Sequence, residues 1–318
     1  MIYNFNTTAR LRLDDFLARE LPAVIQDSGA FSNSKLRRLI ISGSVCVNSR
    51  ECRRPAFELR GRSFVTVNFD EEKFFFEKQP DDIKFELTSK DVLYEDEYII
   101  CVNKPALFPT EETIVGGEKR DNLHDAIVRY LWAKNPALRN PPYAGIMHRL
   151  DRGTSGVILF TKQRSVNKTV QEMFAGHDFT KEYRALVCAE SAFAGKKPLK
   201  EGDFFTVEKY MNRISPKSQA AKWGEVPEAK GGLYSKTDFT VLEKRDFKGK
   251  SCFLVKALLY TGRTHQIRVH LSLSGYPIAG DTLYGGIPAE RVMLHAFRLE
   301  FSHPVTGEKI SLCAECPF

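Results

Sequence analysis

Apolar residues near the N-terminus recur at the spacing of two amphipathic helices. In the stretch RLRLDDFLAREL, the apolar residues share one helical face: Leu13, Phe16, Leu17 and Leu21. The next stretch, SNSKLRRLIISG, predicts a second helix with an apolar face made by Leu36, Leu39 and Ile40. Ser32 or Ser34 is the candidate N-cap of this helix, and Gly43 is its candidate stop.

After Gly43 the pattern changes to the alternation that is typical of short β-strands. The stretch SVCVNSRECRRPAFELRGRSFVTV has turn residues at Asn48-Ser49 and at Arg60-Gly61. Residues 8–67 are therefore predicted to form a small α/β module. Residues 68–90 hold six Asp or Glu before residue 83, and we interpret them as a linker that leads into a first strand.

From residue 91 onward, predicted strands are interrupted by a few helices. The predicted strands are DVLYEDEYIICVNKP (a strand pair), GVILFTK, KEYRALVCAE and CFLVKALLYTG. The predicted helices are NLHDAIVRYLWAK and SVNKTVQEMFAG, the second with Ser165 as N-cap and Gly176 as stop. Residues 191–235 are interpreted as irregular and loop-rich. This order predicts one α+β domain over residues 91–318, with a largely antiparallel mixed sheet.

Length and charge add a second domain and a candidate partner. The chain has 318 residues, of which 42% are hydrophobic, enough for about two domains. The net charge is +7, and residues 35–62 alone hold eight Lys or Arg against two acids. A basic cluster in one small segment is typical of nucleic-acid binding, although a solvated surface is the alternative. The sequence shows no apolar run of membrane-spanning length and no signal-peptide pattern, so we expect a cytoplasmic protein without membrane contact.

Seven cysteines without regular spacing predict reduced thiols rather than a disulfide framework. Cys313 and Cys316 form one CxxC pair, but a zinc site usually needs a second pair at suitable spacing. Cys46 and Cys52 lie in a different segment. We therefore expect no metal.

The stretch HRLDRGTSG places a single carboxylate, Asp151, between Arg149 and Arg152. An Asp that only closes a turn is a common alternative. However, a nearby cation favours the ionised carboxylate, and the small residues that follow allow close backbone approach. An oriented carboxylate can act as a nucleophile, so Asp151 is a candidate catalytic residue.

Five motifs in order resemble the RluA-type RNA pseudouridine synthases. They are CVNKP, HRLDRGTSGVILF, KEYRALV, LLYTGRTHQIRVHLSLSGYPIAGDTLYGG and RVMLHAFRLEFSHPVTGE. The resemblance covers residues 91 to about 310. One departure is the loop ALFPTEET after Lys104-Pro105, where the family usually has a Gly-Leu turn. The RNA preference of that loop stays open.

The resemblance implies a uridine isomerisation in RNA. The C1′–N1 bond breaks, the uracil turns, and a C1′–C5 bond forms on a base that is flipped out of its stack. No cofactor and no metal are implied. Asp151 would be the nucleophile or, in the competing mechanism, a base that assists a glycal-type path.

The resemblance also assigns roles to residues outside the Asp151 loop. Tyr183 would stack on the flipped uracil and help to remove the C5 proton, with core packing as the alternative. Arg268 would pair with Asp151 from the first turn of a helix, for which Thr264 and Gly275 are the predicted N-cap and stop. The implied substrate-binding residues are Arg149, Lys104 and the apolar Leu294, for which ordinary core packing is again an alternative.

The N-terminal module resembles the S4 RNA-binding domain, through RLDDFL, SKLRRLIISGSVCVN and LRGRSFVTV. This resemblance implies RNA-backbone contacts by Lys35, Arg37, Arg38 and Arg54. It favours large-subunit ribosomal RNA over transfer RNA as the substrate. We expect a monomer.

Two other functions remain as alternatives at this point. The first is a non-catalytic RNA-binding or ribosome-assembly protein of the same fold, which intact Asp151, Tyr183 and Arg268 disfavour. The second is a metal-dependent hydrolase that uses His148, His265 or His270. None of these histidines has a second ligand at a suitable interval, so we expect them to have hydrogen-bonding roles.

Overall fold

A computed structural model of the chain describes residues 2–8, 10–25, 31, 33–69, 83–112, 114–115, 118–188, 198–215 and 221–318. The chain divides into two compact units. One comprises Met1–Asp81 with Ser215–Ala221, and the other comprises Asp82–Ile214 with Lys222–Phe318. Most of the acidic stretch that we interpret as a linker, residues 70–82, lies outside the described residues.

The N-terminal unit combines two helices with a four-stranded antiparallel sheet. Its elements are β1 (Ile2–Thr7), α1 (Leu13–Val24), α2 (Asn33–Ile41), β2 (Val45–Val47), β3 (Arg50–Glu51) and β4 (Ser63–Asn68). The strand order in the sheet is β1-β4-β2-β3. The apolar face predicted for each helix is buried in one core with Val45, Val65 and Val67. Asn48 and Ser49 have positive φ, as the tight turn between β2 and β3 requires. Gly43 follows α2 with a φ of +86°.

The boundaries of this unit differ from the prediction of residues 8–67. The unit begins earlier because β1, which the sequence reading missed, pairs with β4 along its whole length. It also ends later, because Phe69 is buried in the same core. The predicted cap Ser32 and the side chain of Arg38 lie outside what the structure describes.

The larger unit contains three helices and thirteen strands in its described part. The helices are α3 (Leu123–Lys134), α4 (Asn167–Gly176) and α5 (Gln266–Leu273). The strands are β5 (Val92–Glu95), β6 (Ile99–Lys104), β7 (Ile114–Val115), β8 (Glu118–Lys119), β9 (Gly145–Ile146), β10 (Ser155–Thr161), β11 (Thr180–Cys188), β12 (Phe204–Arg213), β13 (Trp223–Glu225), β14 (Leu233–Phe247), β15 (Lys250–Leu259), β16 (Leu294–Ser302) and β17 (Lys309–Cys313).

Eleven of these strands form one sheet, with the main order β13-β12-β14-β15-β11-β16-β10-β6-β5. In addition, β17 pairs with β16 and β9 pairs with β10. The pair β10–β16 is parallel, and the other described pairs of this sheet are antiparallel. The predicted α+β class with a largely antiparallel mixed sheet is confirmed.

The ends of α4 differ in detail from the prediction. A short 3₁₀ turn, Arg164–Val166, precedes the helix, and Ser165 is part of that turn rather than the N-cap. The left-handed residue that ends the helix is His177, with a φ of +63°, and not Gly176. A helix commonly ends in a left-handed residue, and here a histidine takes a place that glycine usually fills.

The interpretation of residues 191–235 as irregular is wrong for part of that region. Strands β12 and β13 lie within it, and β14 begins there. These strands are only partly buried, so their sequences lack the continuous apolar run that revealed β10, in which all seven residues are buried.

Cys188 and Cys252 are disulfide-bonded, which corrects the expectation of reduced thiols throughout. The two residues face each other across β11 and β15, with their Cα atoms 4.0 Å apart. A separation of 64 residues in sequence gives no sign of this pairing, because it depends on strand register. The other five cysteines are free.

Within the described part of the chain, no helix is both long and apolar enough to span a membrane.

Candidate active site

Asp151 lies on the loop between β9 and β10, and three hydrogen bonds fix the backbone of that loop. The Thr154 amide donates to the Asp151 carbonyl at 2.9 Å. The Thr110 hydroxyl donates to the buried carbonyl of Leu150 at 2.8 Å, and Lys104 Nζ approaches the carbonyl of Arg152 at 3.3 Å. The backbone on both sides of Asp151 is therefore anchored. Thr110 belongs to the loop that departs from the family pattern.

A glycine allows this loop to enter the sheet. Gly156 has a φ of +114°, and a Cβ atom there would overlap the backbone of Ala296. Gly156 and Ala296 are partners in the parallel pairing of β10 with β16. A side chain at residue 156 would therefore push apart the strands on which the Asp151 loop is mounted.

Arg268 pairs with Asp151 from the first turn of α5. Its Nη1 donates to Asp151 Oδ2 at 3.0 Å, across 117 residues of sequence. The predicted helix is present, with Gly275 just beyond its end, but its N-cap is His265 rather than Thr264. Arg149, which neighbours Asp151 in sequence, instead forms an ion pair with Glu111.

The guanidinium of Arg268 is shared between two carboxylates. Its Nε and Nη2 donate to Asp281 at 2.7 and 2.9 Å. Arg268 therefore forms a two-pronged (bidentate) ion pair with Asp281 and one hydrogen bond with Asp151. Burial acts to lower the pKa of Arg268, but the hydrogen bonds and charges of Asp281 and Asp151 raise it above its usual value. The ring of Tyr284 packs on the guanidinium, with the ring centroid 5.1 Å from Arg268 Cζ.

Tyr183 and Leu294 line the same small cavity as Asp151 and Arg268. Tyr183 is on β11, where it pairs with Ala257 of β15 and Ala296 of β16. Burial, and secondarily the charge of Asp151, raises the pKa of the Tyr183 phenol. Leu294 is the first residue of β16 and is almost fully buried. The structure thus brings together the three predicted catalytic residues and the predicted apolar residue.

A larger cleft of about 900 Å³ opens beside this cavity and shares Asp151, Tyr183 and Arg149 with it. Its walls carry several cations: Arg149, Arg152, Lys181 and Arg263. The side chain of Arg149 is 59% exposed, a placement that suits contact with a bound polyanion. A concave cationic cleft with a carboxylate between polar and apolar walls fits a nucleotide base and its phosphates.

The expectation that Lys104 contacts substrate does not match its placement. Lys104 is fully buried, and its Nζ donates to the carbonyls of Pro105 and Phe108 at 2.9 and 2.7 Å. A buried ammonium needs such acceptors because it is removed from water. Lys104 therefore joins the loop after β6 to the Asp151 loop instead of facing the cleft.

The motifs assigned no role to three residues of the site, Lys181, Asp281 and Tyr284, and only a hydrogen-bonding role was expected for His265. Asp281 and Tyr284 lie in GDTLYGG, at the end of the fourth family motif, and the motif alone does not indicate what either side chain contacts. Lys181 precedes Tyr183 by two positions on β11, and an alternating strand places both side chains on one face. Burial lowers the pKa of Lys181. The partners of these residues lie in other segments of the chain, so no local sequence pattern indicated their roles.

His148 and His270 have hydrogen-bonding roles. The Leu159 amide donates to His148 Nε2 at 3.0 Å, and His270 lies between the hydroxyls of Ser235 and Thr237. Burial lowers the pKa of His148 to about 3 and that of His270 to about 4. Among the described residues, no group of three or more His, Cys, Asp or Glu is placed to hold a metal ion.

Comparison with known proteins gives the same result as the motifs. The sequence pattern of the family described as RNA pseudouridylate synthase matches residues 98–273, more than half of the chain. A Neisseria meningitidis protein named ribosomal large subunit pseudouridine synthase D is 31% identical over 96% of this chain and 76% of its own. A Pasteurella multocida protein named ribosomal large subunit pseudouridine synthase C is 30% identical over 95% of this chain and 86% of its own.

A solved structure is also similar. Human RNA pseudouridylate synthase domain containing 1 matches with a TM-score of 0.55 and 25% identity, over 74% of this chain and 87% of its own. Because the family pattern matches more than half of the chain, and relatives at least 30% identical cover most of it, this chain belongs to the RNA pseudouridylate synthase family and is an RNA pseudouridine synthase.

Proposed function

We propose that this enzyme isomerises specific uridines of large-subunit ribosomal RNA, with Asp151 as the catalytic carboxylate. The observation that carries the assignment of Asp151 is its place between Arg268, Tyr183 and Leu294 in one cavity beside a cationic cleft. Relatives named as large-subunit synthases support the choice of RNA. The alternatives are a transfer RNA substrate and RNA binding without catalysis.

The reaction needs no group beyond the substrate and these side chains. The C1′–N1 bond breaks, the base turns, C5 bonds to C1′, and the proton lost from C5 is balanced by one gained at N1. Asp151 acts either as nucleophile or as base in a glycal-type path. Leu294 offers an apolar surface to the flipped uracil, and Arg149 contacts RNA beside it.

Tyr183 stacks on the flipped uracil in this proposal. Because burial raises its pKa, the phenol keeps its proton near neutral pH. It can therefore donate a hydrogen bond to the base. It can accept the C5 proton only if its own proton leaves in the same step.

The N-terminal unit is proposed to bind RNA in the manner of an S4 domain. Arg37 and Arg54 are exposed there, and Lys35 is half-buried. Arg38 is part of the same proposal. Such residues hold the phosphate backbone, while the cleft selects the base.

Asp151→Asn tests the catalytic assignment. The substitution keeps the shape of the side chain but removes its charge, so we expect single-turnover activity to fall by orders of magnitude while RNA affinity stays within a few-fold. Asp91→Asn is a matched control, because Asp91 accepts hydrogen bonds in a turn that does not line the cleft. A variant within about tenfold of the wild-type rate would contradict the assignment, since general acid–base catalysis alone contributes about 10²-fold or more.

The RNA target is tested by pseudouridine mapping of total RNA from a deletion strain. Loss of one or more pseudouridines from large-subunit ribosomal RNA is expected. Loss only from transfer RNA would replace the proposed substrate, and an unchanged map would favour the non-catalytic alternative.

A substrate with deuterium at C2′ separates the two mechanisms. The glycal path breaks the C2′–H bond and predicts a primary isotope effect, whereas direct attack by Asp151 does not break that bond.

We also propose that the enzyme is monomeric and cytoplasmic. Sedimentation analysis tests the oligomeric state, and cell fractionation tests the location.

A further inference from the structure

His265 lies beside Asp151 with its backbone in the left-handed conformation. Its φ is +57°, in the left-handed region, at the N-cap position of α5. Non-glycine residues in this region are uncommon, and they tend to persist where the surrounding structure needs them. The conformation places the imidazole between Asp151 and Tyr284.

The hydrogen bonds of Tyr284 determine which nitrogen of His265 carries the proton. The Tyr284 hydroxyl oxygen accepts the backbone N–H of Trp223 at 2.9 Å and lies 2.8 Å from His265 Nδ1. Tyr284 is buried, and its hydroxyl has no further hydrogen-bond partner in the described part of the chain. The hydroxyl hydrogen therefore points to Nδ1, which leaves the ring proton on Nε2.

The Nε2 atom of His265 faces the carboxylate of Asp151, 3.6 Å from Oδ2. Burial lowers the pKa of His265, so the ring is neutral at neutral pH and has one N–H to donate. A distance of 3.6 Å is too long for a hydrogen bond, but catalytic contacts often shorten when substrate binds.

Both donors that approach Asp151 lie nearest to the same carboxylate oxygen. Arg268 Nη1 is 3.0 Å from Oδ2, and His265 Nε2 is 3.6 Å from that oxygen. Oδ1 has no hydrogen-bond partner among the described residues. Tyr284 supports both donors, because its ring packs on Arg268 and its hydroxyl orients His265.

We propose that His265 is a positioning residue for Asp151: Tyr284 holds it as the Nε2–H tautomer, and its N–H joins Arg268 on Oδ2, so that Oδ1 is presented to the ribose. The inference rests on the proposed catalytic role of Asp151. It adds His265 to Arg268 as a second hydrogen-bond donor that orients the carboxylate, and it identifies Oδ1 as the oxygen that reacts.

Imidazole ¹⁵N NMR of the wild-type enzyme tests the tautomer without reference to activity. The proposal expects His265 to show an unprotonated Nδ1 and a protonated Nε2. A spectrum with the proton on Nδ1 would overturn it. Because this measurement does not involve turnover, its failure is distinct from a failure of the Asp151 assignment.

Two variants of His265 test the effect on catalysis. His265→Gln keeps an N–H donor near the Nε2 position, whereas His265→Leu has none, and both share the backbone strain of a non-glycine residue. We expect His265→Leu to lower the single-turnover rate by about 10- to 100-fold, the size expected for one hydrogen bond to a charged group. His265→Gln should recover part of that loss, and RNA affinity should stay within about threefold for both variants. Equal rates for the Leu variant and the wild type would overturn the proposal.

Tyr284→Phe separates orientation from packing, because it keeps the ring on Arg268 and removes only the hydroxyl. We expect a mixture of His265 tautomers in the ¹⁵N spectrum and a rate that falls about tenfold. Tyr130→Phe is the matched control, since it removes a phenol hydroxyl outside the cleft and should change neither readout. A Tyr284→Phe enzyme that keeps a single Nε2–H tautomer and the wild-type rate would overturn the role of the hydroxyl.

Discussion

Arg268 is the residue on which the geometry of the site depends most directly. It is bound to Asp281 through two nitrogens and to Asp151 through a third, and both Arg268 and Asp281 are buried. An ammonium group is a point charge and cannot reproduce that planar arrangement. The exchange of Arg for Lys is therefore not conservative at this position.

We predict that Arg268→Lys impairs turnover strongly while RNA binding is retained, and that Arg268→Ala is worse and also less stable. Breaking a buried ion pair by removing one partner typically costs about 3–5 kcal/mol. Single-turnover rates, RNA affinity and urea unfolding of the two variants provide the check. A Lys variant with the wild-type rate would show that Arg268 does not hold Asp151 in its reactive position.

At the scale of elements, the loop after β6 and the Asp151 loop are joined through one buried side chain. Lys104 Nζ contacts the carbonyls of Pro105, Phe108 and Arg152. The first two belong to the loop after β6 and the third to the Asp151 loop. A change at residue 104 therefore acts on catalysis only through the position of the loops.

Lys104→Met should destabilise the enzyme, because Met has a similar length but no donor for these carbonyls. Each buried polar group left without a partner costs roughly 1–3 kcal/mol. Urea unfolding measures the destabilisation. The single-turnover rate should fall together with the stability, whereas RNA affinity should stay nearly unchanged. Lys309→Met is a control at an exposed strand position and should leave stability unchanged. If Lys104→Met had normal stability and bound RNA more weakly, the result would contradict this role and would indicate that Lys104 contacts RNA.

The basic segment of the N-terminal unit should contribute to RNA binding through phosphate contacts. The double variant Arg37→Gln/Arg54→Gln is expected to bind RNA more weakly, with a shallower dependence of affinity on salt. Removal of one cation that neutralises a phosphate lowers the magnitude of the log–log slope by about 0.7 for single-stranded RNA. Lys244→Gln/Lys309→Gln removes the same charge from exposed positions of the larger unit and serves as the control. Identical slopes for the two double variants would mean that the basic cluster is only a solvated surface.

For the whole molecule, two histidines with lowered pKa values make folding sensitive to acid. His148 and His270 have pKa values of about 3 and about 4 in the folded protein, against a usual value of 6.5. Between about pH 4 and 6.5 the unfolded chain therefore binds protons that the folded chain does not. Acid consequently favours unfolding in this range.

We predict that the free energy of unfolding falls as pH is lowered through this window, by up to about 1.4 kcal/mol per pH unit for each such histidine. Urea unfolding from pH 4.5 to 7 measures the slope. A stability that is flat or rises towards acid would contradict the assignment of two histidines that stay neutral in the folded protein.

Local sequence pattern was sufficient to identify the elements with clear periodicity and the family. The helical faces of Leu13, Phe16 and Leu17 in α1 and of Leu36 and Ile40 in α2 are buried as predicted. Such patterns are local, since a face repeats within a few residues of chain. The Asp151 motif was also recognisable because its charged and small residues are contiguous.

The contacts between residues distant in sequence became known from the fold alone. Nothing near Asp281 in the sequence shows that it takes the two-pronged bond of Arg268, and nothing near Lys104 shows that the loops close over it. The pairing of Cys188 with Cys252 and of β1 with β4 follows from strand register. Register and burial depend on contacts between residues tens to more than a hundred positions apart, and local pattern carries no information about such contacts.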